Sequence, residues 1–82
     1  MSDSKPQFKN LPPLSEWPDW AQWATFDDDG VWTLHKHKPK LFNSKRFGWY
    51  WKWESPHWDL DAREPEETRH LWRESLTKRP TQ

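Results

Sequence analysis

The chain contains no cysteine, no isoleucine, a single valine and only two glycines among its 82 residues. Without cysteine there is no disulfide framework and no thiolate zinc site. Two glycines are too few for a phosphate-cradling glycine loop. No apolar run reaches the length of a membrane span or of a secretory signal core, so a cytoplasmic protein is expected. The formal net charge is zero, which argues against both a DNA mimic and a simple polycation.

Tryptophan fills the place of the missing aliphatics. Nine indoles stand beside seven leucines. A fully buried Trp removes about 150–250 Å² from water, roughly 4–6 kcal/mol at about 25 cal/mol/Å². A chain this short is a single small domain that buries only about 60 % of its unfolded surface. Folding therefore requires most of the indoles, and any left outside demand an explanation. The densest stretch runs from Phe47 to Trp53. At a period of two, Phe47, Trp49, Trp51 and Trp53 fall on one strand face, and Gly48, Tyr50, Lys52 and Glu54 on the other.

Charge is segregated although it sums to zero. Between Thr33 and Trp53 every charge is basic: Lys36, Lys38, Lys40, Lys45, Arg46 and Lys52. From Glu54 to Glu67 six acids face one base, Arg63. The two blocks either attract each other within the fold or the basic one meets an external anion.

Along the chain, residues 1–14 are polar and broken by Pro6, Pro12 and Pro13, as in a flexible N-terminal tail. A single domain is expected over 15–77, with a frayed end at 78–82. Ser15 is a candidate helix N-cap, and Trp17, Trp20 and Trp23 recur every three residues, which predicts one short helical turn. Asp27-Asp28-Asp29-Gly30 between two β-favouring runs predicts a hairpin. In its second strand Trp32 and Leu34 share one face, while Val31, Thr33, His35 and His37 share the other. Pro39 ends it. A basic loop over 40–46 leads into the aromatic strand. Pro65, the acids after it and the bases near its end predict a helix over 64–76, with Leu71, Trp72 and Leu76 buried. The expected class is thus α+β: a small three-stranded antiparallel sheet with a short N-terminal helical turn and a C-terminal helix.

Little in the chain points to catalysis. His35-x-His37 lacks any further ligand spacing, and exposed histidines among lysines explain it better than zinc does. Asp27-Asp28-Asp29-Gly30 lacks the twelve-residue calcium loop and reads as turn chemistry. No nucleophile elbow or Ser/His/Asp spacing is present, so no enzyme activity, catalytic residue, metal or cofactor is expected. Two binding surfaces remain. An aromatic surface would use Trp17, Trp20, Trp49, Tyr50 and Trp51, with Arg73 and Arg79 as polar anchors, against a protein partner or a second copy of the chain. A basic aromatic strip would use Lys36, Lys38, Phe42, Lys45, Arg46, Tyr50 and Lys52 to stack single-stranded nucleic acid or a nucleotide. Tyr50 decides between them: exposed beside Phe42 and Lys52, it favours the strip.

The segments Trp17-Pro18-Asp19-Trp20-Ala21, Asp27-Asp28-Asp29-Gly30-Val31-Trp32, Lys38-Pro39 and Trp72-Arg73-Glu74-Ser75-Leu76-Thr77-Lys78-Arg79-Pro80 together resemble a group of small, uncharacterised tailed-phage proteins. The resemblance spans Trp17 to Pro80 and is loose between Lys40 and Arg69. It implies a non-structural phage product in the bacterial cytoplasm, of a kind that often binds a host factor. It carries over no activity and no catalytic residue. With the surplus of indoles, the leading expectation is an accessory protein that binds and modulates, by inhibition, a host bacterial protein through the aromatic surface, and the basic aromatic strip is the alternative.

Overall fold

A computed structural model describes residues 8–54 and 56–79. The Asp-rich turn forms the predicted hairpin. Gly30 N–H donates to the Asp27 carbonyl at 2.7 Å, Asp29 Oδ1 accepts Val31 N–H at 3.0 Å, and Gly30 takes φ +84°. This turn joins β1 (Trp23–Phe26) to β2 (Val31–His35) in antiparallel register, with Phe26 opposite Trp32. Alternation sends Ala24, Phe26, Trp32 and Leu34 to one face, where they are buried with Trp17 and Ala21. The Phe26 and Trp32 rings meet edge to face, 4.9 Å between centroids.

Six strands are present among the described residues, and the molecule is mostly β. Besides β1 and β2 they are β3 (Lys40–Ser44), β4 (Gly48–Lys52), β5 (His57–Arg63) and β6 (Thr77–Lys78). β5, β2, β1 and β6 make one antiparallel sheet in that order, and β3 and β4 make a separate hairpin. The three-stranded α+β expectation is therefore corrected. Trp58-Asp59-Leu60 belongs to β5, the longest strand among the described residues.

The expected C-terminal helix shrinks to one α-helical turn, α1 (Glu66–Arg69), followed by a 3₁₀ turn at Trp72–Glu74. Side chains that compete for the backbone explain why. Thr68 Oγ1 donates to the Glu64 carboxylate at 2.6 Å. Ser75 Oγ accepts Phe26 N–H at 3.0 Å and lies 2.6 Å from the Trp72 carbonyl, which ties the chain to β1 where a helix would continue. The path then enters β6, whose Thr77 and Lys78 pair with Ala24 and Trp23.

The N-terminal part also departs from expectation. The 3₁₀ turn lies at Leu14–Glu16, ahead of the indoles, so Trp17, Trp20 and Trp23 do not share one side of it. Trp17 enters the core and donates its Nε1–H to the Pro12 carbonyl at 3.1 Å. Trp23 opens β1 with the Lys38 ammonium 5.3 Å from its ring. Residues 1–7 of the expected tail, and 80–82 of the expected frayed end, lie outside the described residues. Residues 8–14, however, join the body: the Phe8 ring sits 5.2 Å from Phe26 and 5.6 Å from Trp32.

Glu64 holds these parts together. Its carboxylate is fully buried and accepts Lys9 N–H (2.9 Å), Asn10 N–H (2.7 Å), Trp32 Nε1–H (2.9 Å) and Thr68 Oγ1–H (2.6 Å). Burial pushes its pKa up, but the donors, Thr68 and Trp32 first, outweigh burial and hold it below the ordinary value. One carboxylate thus joins the N-terminal segment, the core indole and α1. Among the described residues, no helix is long and apolar enough to cross a membrane.

Candidate binding surface

The β3–β4 hairpin turns at Ser44, whose Oγ accepts Arg46 N–H (3.1 Å) and Phe47 N–H (3.2 Å), and Gly48 resumes pairing at φ +76°. Its register places Lys40 opposite Lys52, Leu41 opposite Trp51, and Phe42 opposite Tyr50. Period-two geometry therefore separates two faces. Leu41, Trp49 and Trp51 share the inner one. Trp51 is buried there, its Nε1–H donating to the Trp72 carbonyl at 3.1 Å, and Trp49 lies under the Arg73 guanidinium at 5.6 Å.

The outer face carries Lys40, Phe42, Tyr50 and Lys52. Phe42 is 42 % and Tyr50 37 % exposed, with ring centroids 6.1 Å apart. The Lys52 ammonium hangs 4.8 Å from the Phe42 ring. Alongside opens a cleft of about 370 Å³ lined by Lys38, Lys40, Phe42, Lys52, Trp53 and Glu54. Three ammonium groups and two rings thus surround one carboxylate. Trp53 forms its wall by packing on His57, ring centroids 3.7 Å apart.

Behind Trp53 lies His35, 6.1 Å between ring centroids and fully buried. Its Nε2 is 2.9 Å from Thr25 Oγ1, and Nδ1 has no partner among the described residues. Burial first, then the neighbouring His57, lower its pKa to about 4 against a smaller opposing pull from Asp59. An exposed histidine was expected here; His37 is exposed, His35 is not. Among the described residues, no group of three His, Cys, Asp or Glu side chains is placed to hold a metal ion.

The seven residues expected to form an aromatic interface do not share a surface. Trp17 and Trp51 are buried, and Trp20 is half-buried against the core. Trp49 and Tyr50 are exposed on opposite faces of β4. Arg73 stacks on Trp49, while Arg79 Nη1 donates to the Pro18 (2.9 Å) and Ala21 (2.7 Å) carbonyls and clamps the N-terminal segment to β6.

The basic aromatic set is brought together better. Phe42, Tyr50, Lys52 and Lys38 border one face and its cleft. Lys36 is exposed on the preceding loop, and Lys45 and Arg46 occupy the hairpin turn, Arg46 over Phe47 at 5.4 Å. Sequence reasoning left Lys40 and Trp53 out of this set. Lys40 was detectable, because it stands two residues before Phe42. Trp53 was not, because alternation assigned it to the face of Trp49 and Trp51, whereas β4 ends at Lys52 and the indole lines the cleft instead. No protein-family model, curated protein or solved structure matches the chain.

Proposed function

We propose that this protein is a non-enzymatic binding module that takes single-stranded nucleic acid on the outer face of the β3–β4 hairpin. One observation carries the reading: Phe42 and Tyr50, paired across the hairpin, are both exposed, and Phe42 lines a cleft with Lys38, Lys40 and Lys52. Exposed rings stack unpaired bases, each worth about 1–3 kcal/mol, and the lysines neutralise phosphates. Duplex bases are already stacked and offer the rings nothing. Titration of the protein with a mixed-sequence DNA oligonucleotide at low salt is expected to quench tryptophan emission through Trp53, and the same strand annealed to its complement is expected to quench far less. No quenching at low salt removes the reading.

A second reading keeps a host bacterial protein as partner, bound and inhibited in the cytoplasm as the phage resemblance implies. The supporting observation is the exposure of Trp49 beside Arg73, a pairing common at interface hot spots. Affinity capture from bacterial lysate that is lost with Trp49→Ala but kept with Tyr50→Ala supports it. Capture unaffected by Trp49→Ala rejects it.

A further inference from the structure

β5 is the outer strand of the four-stranded sheet, and its hydrogen-bond phase shows what its edge offers. Lys36 N–H donates to the Pro56 carbonyl at 3.3 Å, and His35 pairs with His57 and Leu34 with Trp58 in the same register. In an antiparallel ladder, bonded and non-bonded pairs alternate. Lys36/Pro56 is a bonded pair, so Leu34/Trp58 is bonded too, and His57 and Asp59 direct their N–H and C=O groups away from β2. At the far end of the strand the outward Arg63 carbonyl accepts the Asn10 side-chain amide at 2.7 Å. Among the described residues, no backbone group pairs with the outward groups of His57 and Asp59.

Around this edge the Asp59 carboxylate accepts Thr33 Oγ1–H at 3.0 Å through one oxygen, while Trp58 and Asp61 are exposed. Trp58 is the most exposed indole of the described residues at 57 %. The ladder shifts register between the Thr33/Asp59 and Val31/Arg63 pairs; within this stretch Leu60 and Ala62 pack on the core, while Asp59 and Asp61 are exposed. Asp61, Ala62 and Arg63 also line a groove of about 480 Å³ shared with Leu11, Pro13 and Glu16, into which the edge runs.

A second copy is a poor occupant. Pairing the whole strand with itself sets Asp59 against Asp61 of the copy twice, and like charges directly opposite are unfavourable. We infer that the β5 edge is a strand-addition site for an extended peptide segment with basic side chains at alternate positions. The peptide backbone bonds His57 and Asp59, its bases meet Asp59 and Asp61, and its opposite side chains lie on Trp58. This surface adjoins the β3–β4 cleft at His57, on which Trp53 packs, but it uses the β5 edge and does not depend on the reading of that cleft.

The test is amide NMR on the full, ¹⁵N-labelled chain titrated with a blocked peptide of alternating lysine and valine. Expected are shifts and gained exchange protection at the His57 and Asp59 amides, no effect from a glutamate–valine peptide, and at least tenfold weaker binding by Asp61→Lys. Trp58→Ala, at an exposed position, is expected to weaken binding with the amide spectrum otherwise preserved. The inference is overturned if those amides are already protected in the free chain, by its own residues or by a second copy. It is equally overturned if the peptide does not bind, shifts only β3–β4, or binds Asp61→Lys as tightly as the wild type.

Discussion

Acidification from pH 7 to pH 5 is expected to destabilise this fold by about 2 kcal/mol through His35 alone. The unfolded chain binds a proton at this imidazole from an ordinary pKa of 6.5 downward, whereas in the fold it does so only near 4. The neutral ring is therefore the native form. Stability is fully present above pH 6.5, declines below it as the unfolded chain takes up the proton, and levels off below about 4. At about 1.36 kcal/mol for each pH unit separating the two values, the full loss is about 3 kcal/mol, of which about 2 has occurred by pH 5. For a domain of this size that corresponds to a fall in Tm on the order of 10 °C. The groups facing the ring are Thr25 on β1, His57 and Asp59 on β5, and Trp53. Glu64 acts in a lower window, because its depressed pKa makes stability fall only below its ordinary 4.5. Asp27, raised by burial and then by Asp29, Asp28 and Asp59, acts with the opposite sign: acid relieves the cost of its charge. Urea unfolding at pH 7, 6 and 5, compared between wild type and His35→Gln, isolates the one imidazole. Equal pH slopes for the two proteins would refute the account of His35.

Two further outcomes follow from the packing. Glu64→Gln leaves donors from Lys9, Asn10, Trp32 and Thr68 facing an amide with a single oxygen; a loss of about 3 kcal/mol in chemical denaturation is expected, together with faster exchange of the Lys9 and Asn10 amides. Gly30→Ala should be far worse than Gly48→Ala although both sit at positive φ, since a Cβ at Gly30 would lie 2.9 Å from the Glu64 carbonyl and one at Gly48 meets nothing within 4 Å; thermal melts should give more than about 2 kcal/mol for the first and about 1 kcal/mol for the second.

What the sequence disclosed, and what it hid, divides along the range of the interactions. The Asp27–Gly30 hairpin was legible because turn chemistry is local. Trp32 and Leu34 were legible as sharing one face, and Tyr50 and Lys52 as opposite in face to Trp49 and Trp51, because alternation needs only neighbours. Pro65 and its following acids correctly marked a helix start. The length of that helix was decided elsewhere, by Ser75 bonding to Phe26 across 49 residues. The triplet spacing of Trp17, Trp20 and Trp23 resembled a helical face, but Trp23 was claimed by pairing with His35 and Lys78. Glu64 gave no local sign of burial, because its partners Lys9 and Trp32 lie 55 and 32 residues away. The candidate surface was half legible: Lys38, Lys52, Phe42 and Tyr50 were named, but Lys40 was passed over, and the cleft wall at Trp53 depends on His57 coming round on another strand.

The binding claim rests on Tyr50, Phe42 and three lysines acting together, and a salt-dependent affinity series tests it most directly. Dissociation constants for a single-stranded oligonucleotide, measured by fluorescence from low to physiological salt, are expected to rise with salt at a log–log slope of about +2 if Lys38, Lys40 and Lys52 each neutralise one phosphate. Tyr50→Ala is expected to weaken binding roughly 5- to 150-fold at every salt concentration, with the slope and the melting temperature unchanged. A Tyr50→Ala protein that binds as tightly as the wild type, or an affinity indifferent to salt, would contradict the account.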